Sequence, residues 1–471
     1  MKSLYNALSL VLIFSFFSNC DFLAKDKKEE YVTISRESYI SSGGNLQGKI
    51  LCPMAVNDVI VELDSLKLDT GNKEPEMTAR GMMIFMKKNN ITTITGLLNA
   101  MPKHHRNNFS LVEHTKGEGE SNLKYPRIVL FGSDGTFLMN ISTKPDDPKH
   151  DLLDFAILSE NDGTWDFSQF DFTGSTPKLH VKPESCIRCH GDNPRPVWGT
   201  NMDWPGVFGD NEAAGPNGEA LSFRHAERMN EIKEGKTFSD RFDFLEWSDQ
   251  KLTSGGIRRI ANHAFGAELL VSNMAMGTAT ARGVFIRMKK GNTIVYKQIR
   301  ETLLLLGYEY MINGILSRSD KERITTLVSR LGGKDGKLHD IFDMLEIDPE
   351  ESFSLGTLAK EETPKTDWSL GAGDLYEQIF LMVLHDLAQE DEQLRNILLS
   401  VPNTPGVFGC DNLGSNIMEV VDFKMLHMHQ LLGKERYAVH KVYYPQDAEN
   451  IKEKVFIPMY EKLAPYLKSK I

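Results

Sequence analysis

Cysteine is scarce, with five in 471 residues, far too few for a disulfide-stapled scaffold. Positive charge is also short: 54 Lys plus Arg stand against 65 Asp plus Glu, a net charge of −11. That balance argues against nucleic acid as a partner, because phosphate recognition draws on a basic face. No apolar run reaches the ~18 residues a membrane-spanning helix needs. Dinucleotide-binding and phosphate-binding glycine loops, the serine nucleophile elbow and the zinc-protease helix motif are all absent. Hydrophobic residues at 41% and charged residues at 25% are ordinary for globular chains. The length allows about two to four units of roughly 100–200 residues each.

The first twenty residues read MKSLYNALSLVLIFSFFSNC. Lys2 supplies a basic start, and Ala7 to Phe17 an apolar stretch of signal-peptide length. The end of this stretch, Phe17-Ser18-Asn19-Cys20, resembles a bacterial lipobox, with Phe17 where Leu is usual and Asn19 in place of a small residue. The resemblance implies a lipoprotein signal over 1–20, lipidation of Cys20, and a periplasmic or cell-envelope address. Each buried CH₂ of an acyl chain contributes ~0.8 kcal/mol of membrane affinity. An ordinary cleaved signal is the other reading. Residues 21–45 open with the charged DFLAKDKKEE and are expected to act as a polar tether.

Residues 180–200 read HVKPESCIRCHGDNPRPVWGT. Cys186, Cys189 and His190 form C-x-x-C-H, the attachment signal for a c-type haem. Two thiols at this spacing add to the two vinyl groups of one porphyrin, and the adjacent imidazole reaches the iron. A zinc site would want a second thiol or histidine pair, whereas Cys52 and Cys410 are isolated. A redox C-x-x-C would sit in a βαβ unit, not after a proline-containing loop. The expected cofactor is therefore one covalent haem c, with His190 as an axial iron ligand. Export and haem attachment agree, because thioethers to haem form outside the cytoplasm. Cys52 and Cys410 are left over, either paired as a disulfide or buried as free thiols.

The sixth iron position separates the functional classes. A Met or His ligand closes the site for electron transfer, and an open distal side admits small molecules. Met202, His225, Met274, Met276 and the cluster His427-Met428-His429 are all candidates, and none stands out. Arg195 could pair with a propionate, and Trp198 and Trp204 could pack on the porphyrin edge. The doublets His104-His105 and Asp146-Asp147 read as solvated surface.

The pattern predicts an α+β chain. An antiparallel β-rich unit over 46–180 is followed by a haem-binding segment over 181–215 and a mainly helical unit over 216–471. Asp58 to Leu68 could be a helix, and 116–123 an exposed loop. Arg127 to Phe131 and Phe137 to Ile141 read as a hairpin, as do Phe155 to Leu158 and Trp165 to Phe167 around Asp162-Gly163. Helices are expected at Ser222 to Glu234, Ile257 to Met276 and Lys297 to Leu316. A further helix is expected from a capping box at Ser319-Glu322 to Gly332-Gly333, and another from Asp374 to about Leu399. Residues 333–373 read as a surface excursion. Pro205 to Asn211 is echoed by Pro405 to Asn412, which suggests a shared loop anchored by a buried Phe.

The motif and the string CHGDNPRPVW resemble bacterial c-type cytochromes of the large, monohaem lipoprotein kind. The stretch 124–200 is also similar to two β-rich haem families, the P460-type cytochromes and exported PAS-like sensors. The resemblance implies haem binding and single-electron transfer, with a redox partner protein or a small electron donor or acceptor. Its alternatives are a haem oxidoreductase, peroxidase-like or P460-like, with an open distal site, and a haem-based sensor.

Overall fold

The structure, a computed structural model, describes residues 75–101, 103–106, 109–115, 117–131, 135–191, 206–208, 222–245, 269–348, 375–402, 416–418, 421 and 457–471. Readings that fall elsewhere lie outside the described residues. They include the export signal, the tether, the helix at 58–68, Cys52 and Cys410, and the second copy of the Pro-Gly-Val-Phe-Gly loop.

The fold is α+β. Six strands form one antiparallel sheet in sequence order: β1 (Phe109–Val112), β2 (Arg127–Leu130), β3 (Phe137–Ile141), β4 (Leu152–Leu158), β5 (Trp165–Asp171) and β6 (Lys178–Val181). Both expected hairpins are present, with Val129 opposite Asn140 in one and Ala156 opposite Phe167 in the other. Side chains alternate between the two faces of a strand, so the register sorts them. One face carries Ile128, Leu130, Phe137, Met139, Ile141, Leu153, Phe155 and Phe170. These pack against α1 (Ala79–Lys88), α2 (Ile94–Ala100), α5 (Phe223–Lys233) and the buried Phe208. Ser222 caps α5 through the N–H of His225, and Glu234 closes it. Phe208 is a buried anchor, as the loop reading expected, and its N–H donates to the Leu111 carbonyl at 2.8 Å.

The second face carries Val129, Leu138, Asn140, Asp154, Ala156, Leu158, Trp165, Phe167 and Gln169. At one end it meets α6 (Leu269–Gly291), where Gly283 lies so close that an added Cβ would stand 3.0 Å from both Leu158 Cδ1 and the Gly163 carbonyl. Lys290 Nζ donates to the Glu160 carbonyl at 3.2 Å, and Arg282 pairs with the Glu160 carboxylate.

A second core is wholly helical. It joins α6, α7 (Thr293–Ile312), α8 (Arg318–Arg330), α9 (Leu338–Met344), α10 (Leu375–Glu390), α11 (Glu392–Ser400) and α12 (Ile457–Lys468) around Leu303, Tyr308, Phe342, Ile379, Val383 and Leu463. Several expectations move here. Of the expected 257–276 helix, 257–268 lie outside the described residues and the rest belongs to a helix, Leu269–Gly291, that continues past Met276; the 297–316 helix starts at Thr293, capped by Asn292. The capping box is Ser317 with Asp320, not Ser319 with Glu322; Glu322 pairs with Arg318 one turn back. The helix ending near Leu399 is broken at Asp391, whose carboxylate caps α11. Residues 338–344 are a helix with Ile341 and Phe342 buried, so that part of the supposed excursion is core. Asp340 makes this possible by accepting the N–H groups of Lys334, Asp335 and Gly336.

Asp320 joins the capping box to α12. Burial alone would raise its pKa, but the Lys468 ammonium at 2.8 Å and the Ser317 hydroxyl outweigh burial, bringing the carboxyl down to about 2 from an ordinary 3.8. The folded state therefore prefers the ionised form. Its contribution is complete above the unfolded value and is lost as pH falls through the folded one. Asp320→Asn should destabilise the chain by about 1–2 kcal/mol at neutral pH. In urea melts, the difference from the native chain should persist down to about pH 5 and vanish toward pH 2. A difference that does not change with pH would count against this pairing.

Candidate functional site

The Cys-x-x-Cys-His segment forms a short helix, α4 (Glu184–His190), directly after the edge strand β6. Pro183 fixes the entry, having no N–H to leave unpaired, and Gly191 with φ +83° ends the helix. No residue of α4 is buried. The helix stands beside the second sheet face, at the end that α6 leaves free. Between them lies a solvent-open cleft. Val129, Leu138, Ala156 and Phe167 give the cleft an apolar floor, and Cys186, Cys189 and His190 line its other side. The His190 imidazole sits 4.4 Å from the Phe167 ring. Met139 and Phe155 border the cleft too, but strand alternation sends their side chains into the opposite core.

Three polar groups interrupt the floor and rim. Asp154 accepts from Gln169 Nε2 at 2.6 Å. Asn140, its cross-strand neighbour, holds a buried Oδ1 with no hydrogen-bond partner among the described residues. Lys149 stands at the rim, 2.7 Å from Glu118, and Arg188 of α4 reaches the same carboxylate. The Lys149 ammonium is the main reason the Glu118 carboxyl lies below its ordinary range.

This rim is built on a buried pair. Arg127 Nη2 meets Asp147 Oδ2 at 3.0 Å, with both side chains at 3% exposure or less. The other Arg127 amine donates to the Glu118 carbonyl at 2.7 Å. Asp147 also accepts from Ser142 Oγ at 2.5 Å and from the Lys149 N–H at 2.9 Å. Gly119, with φ +103°, is required here because a Cβ would come within 2.3 Å of the Arg127 guanidinium. The reading of Asp146-Asp147 as solvated surface fails for Asp147, which the arginine draws inward. It fails for His105 as well, which is buried edge-on against Phe137 at 5.7 Å. Nothing in the local sequence marks Arg127, Asp147, Glu118 and Lys149 as neighbours.

The structure brings Cys186, Cys189 and His190 onto one cleft. It does not bring His225 there. That imidazole stacks on Phe208 at 4.2 Å and holds Glu113 at 2.8 Å on the core side of the sheet. Met276 is buried in α6 and does not line the cleft. Met202, the Met274 side chain, Arg195, Trp198, Trp204 and 427–429 lie outside the described residues, as does Cys20. Among the described residues no cluster of three or more His, Cys, Asp or Glu would hold a metal ion directly. Two free thiols and an imidazole over an apolar floor, with an unsatisfied amide oxygen, fit a porphyrin held through thioethers better than a bare ion. No family model matches the chain, and neither a curated protein nor a solved structure matches it.

Burial, followed by the charge of Asp154, pushes the Cys186 thiol up to about 11. Since the thiolate is the nucleophile, iodoacetamide at pH 8 should alkylate Cys186 of the folded apoprotein at least about tenfold more slowly than in denaturant. Asp154→Asn should speed the reaction. Equal folded and unfolded rates would contradict this setting of the thiol.

Arg127→Leu should cost about 3–5 kcal/mol, because it strands a buried carboxylate. Replacing Arg127 and Asp147 together by Leu and Asn should recover part of that loss in urea melts. A single variant as stable as the native chain would remove the pair from its structural role.

Proposed function

We propose that the chain is an exported, membrane-anchored monohaem c-type cytochrome that passes single electrons. The observation that carries this reading is the convergence of Cys186, Cys189 and His190 on one apolar-floored cleft. Cys186 and Cys189 would hold the haem by thioethers, and His190 would be an axial ligand of its iron. When bound, the group supplies one-electron chemistry at a tuned potential.

The surroundings do the rest. Phe167 packs on the His190 ring and limits its rotation. Val129, Leu138 and Ala156 exclude water from the floor. Asn140 and Asp154 offer hydrogen bonds inside an otherwise apolar wall. The motif helix keeps Glu184 and Arg188 exposed, which suits electron exchange with a partner protein or small carrier at the surface. Lipid on Cys20 would keep that exchange at the membrane of the periplasm or cell envelope. The helical core carries no helix long and apolar enough to cross a membrane among the described residues.

The test is expression of the whole chain in a host competent for cytochrome c assembly. The expected product is coloured, carries one haem per chain, and yields a proteolytic fragment with both cysteines bound to that haem. Its reduced spectrum should be low-spin and indifferent to carbon monoxide. Cys186→Ala and Cys189→Ala should each leave at most one thioether. Colourless protein with an unmodified fragment would refute haem attachment, and a carbon-monoxide-sensitive spectrum would move the reading from electron transfer to small-molecule chemistry.

A further inference from the structure

Lys149 is the only lysine or arginine that lines the cleft among the described residues, and its side chain is just 17% exposed. A mostly buried ammonium calls for an anion, and its ion-pair partner is Glu118 at 2.7 Å. That one carboxylate serves two cations, because Arg188 reaches it from the motif helix. The three groups together carry one net positive charge at the mouth, and Asp154 is a further carboxylate in the cleft lining. Their placement is fixed from behind. Asp147 accepts the Lys149 N–H and sets the turn that presents the ammonium, while Arg127 holds the Glu118 carbonyl. The Glu118 backbone is thus pinned, while its half-exposed carboxylate is held by the side chains of Lys149 and Arg188.

We propose that Lys149 is the docking point for a carboxylate of the molecule that enters the cleft, and that Glu118 occupies this point until that carboxylate displaces it. The ligand class is a flat, apolar molecule bearing an acidic edge. On the haem reading, on which this inference rests, the acidic edge is a propionate. Charge-assisted pairing of this kind is strong and directional, so it would orient the ring before any covalent bond forms. Glu118 then acts as an internal stand-in for the incoming carboxylate.

The experiment uses the full-length apoprotein, made without haem-attachment machinery, titrated with hemin and separately with hemin dimethyl ester. The ester keeps the ring and loses the charged edge. Lys149→Met should weaken hemin binding about tenfold, and Lys149→Arg should restore it to within about threefold. Glu118→Gln should tighten hemin binding about threefold, since the competitor loses its charge. The ester should respond to none of these changes. Thermal melts of each variant should superimpose on the native chain, which separates docking from folding. Hemin and ester responding alike, or no hemin binding to the folded apoprotein, would overturn the proposal. Thioether formation in the assembly-competent host is scored independently. A thioether-bearing chain blind to Lys149 loses only this inference, whereas a chain that discriminates hemin from its ester yet never forms thioethers loses only the covalent reading.

Discussion

The buried pair between Arg127 and Asp147 is the constraint on which the cleft depends. A carboxylate taken out of water survives only with a close cation and further hydrogen bonds. Asp147 has both, from Arg127, Ser142 and the Lys149 N–H. Burial would raise its pKa, and these partners together hold it below the usual aspartate range. The same guanidinium extends to the Glu118 carbonyl, so one side chain ties the loop after β1 to the turn before β4. Both segments border the cleft. Their positions follow from a pair that itself never touches the cleft.

The sheet explains why there is space to border. Its first face is filled completely by helices and by Phe208. Its second face is apolar over Val129, Leu138, Ala156, Leu158, Trp165 and Phe167, all of them buried, and α6 lies against the end near Leu158 and Trp165. The helix placed there by β6 lies alongside this face with none of its own residues fully buried. Among the described residues, two thiols and an imidazole thus face an apolar floor across the cleft.

Much of the fold was legible in the sequence, for local reasons. Alternating apolar residues around Ser133-Asp134-Gly135 and around Asp162-Gly163 placed two hairpins, and Ser222 placed α5 to the residue. Caps were recognisable in kind but ambiguous in position: Ser317-Asp320 and Ser319-Glu322 satisfy the same pattern, and buried Asp320 bonded to Lys468 decides between them. The motif was legible because covalent chemistry fixes its spacing. The surroundings of the motif were not. Glu118, Lys149, Asp154 and Phe167 come together through strand register and a buried ion pair, and neither leaves a short-range signature. Asp147 and His105 sit beside charged neighbours and are indistinguishable from surface residues until the sheet closes over them.

The two cores also bear on the order of events. Neither hydrophobic cluster includes a residue of the motif helix. The helical core rests on Leu303, Ile379 and Leu463, and the sheet core on Phe109, Leu130 and Phe170, all fully buried without help from any added group. Folding energy scales with this burial, so the sheet and its rim can form before the cleft is filled. A protein whose core were the cofactor itself would be an unfolded chain until loaded, as metal-dependent small domains are. Here the floor, the pinned loop and the Lys149 turn are organised by interactions that the ligand does not supply. On the haem reading, little binding energy would go into ordering these groups. The motif helix belongs to neither core, and its ties to the fold include the packing of His190 on Phe167 and the ion pair of Arg188 with Glu118.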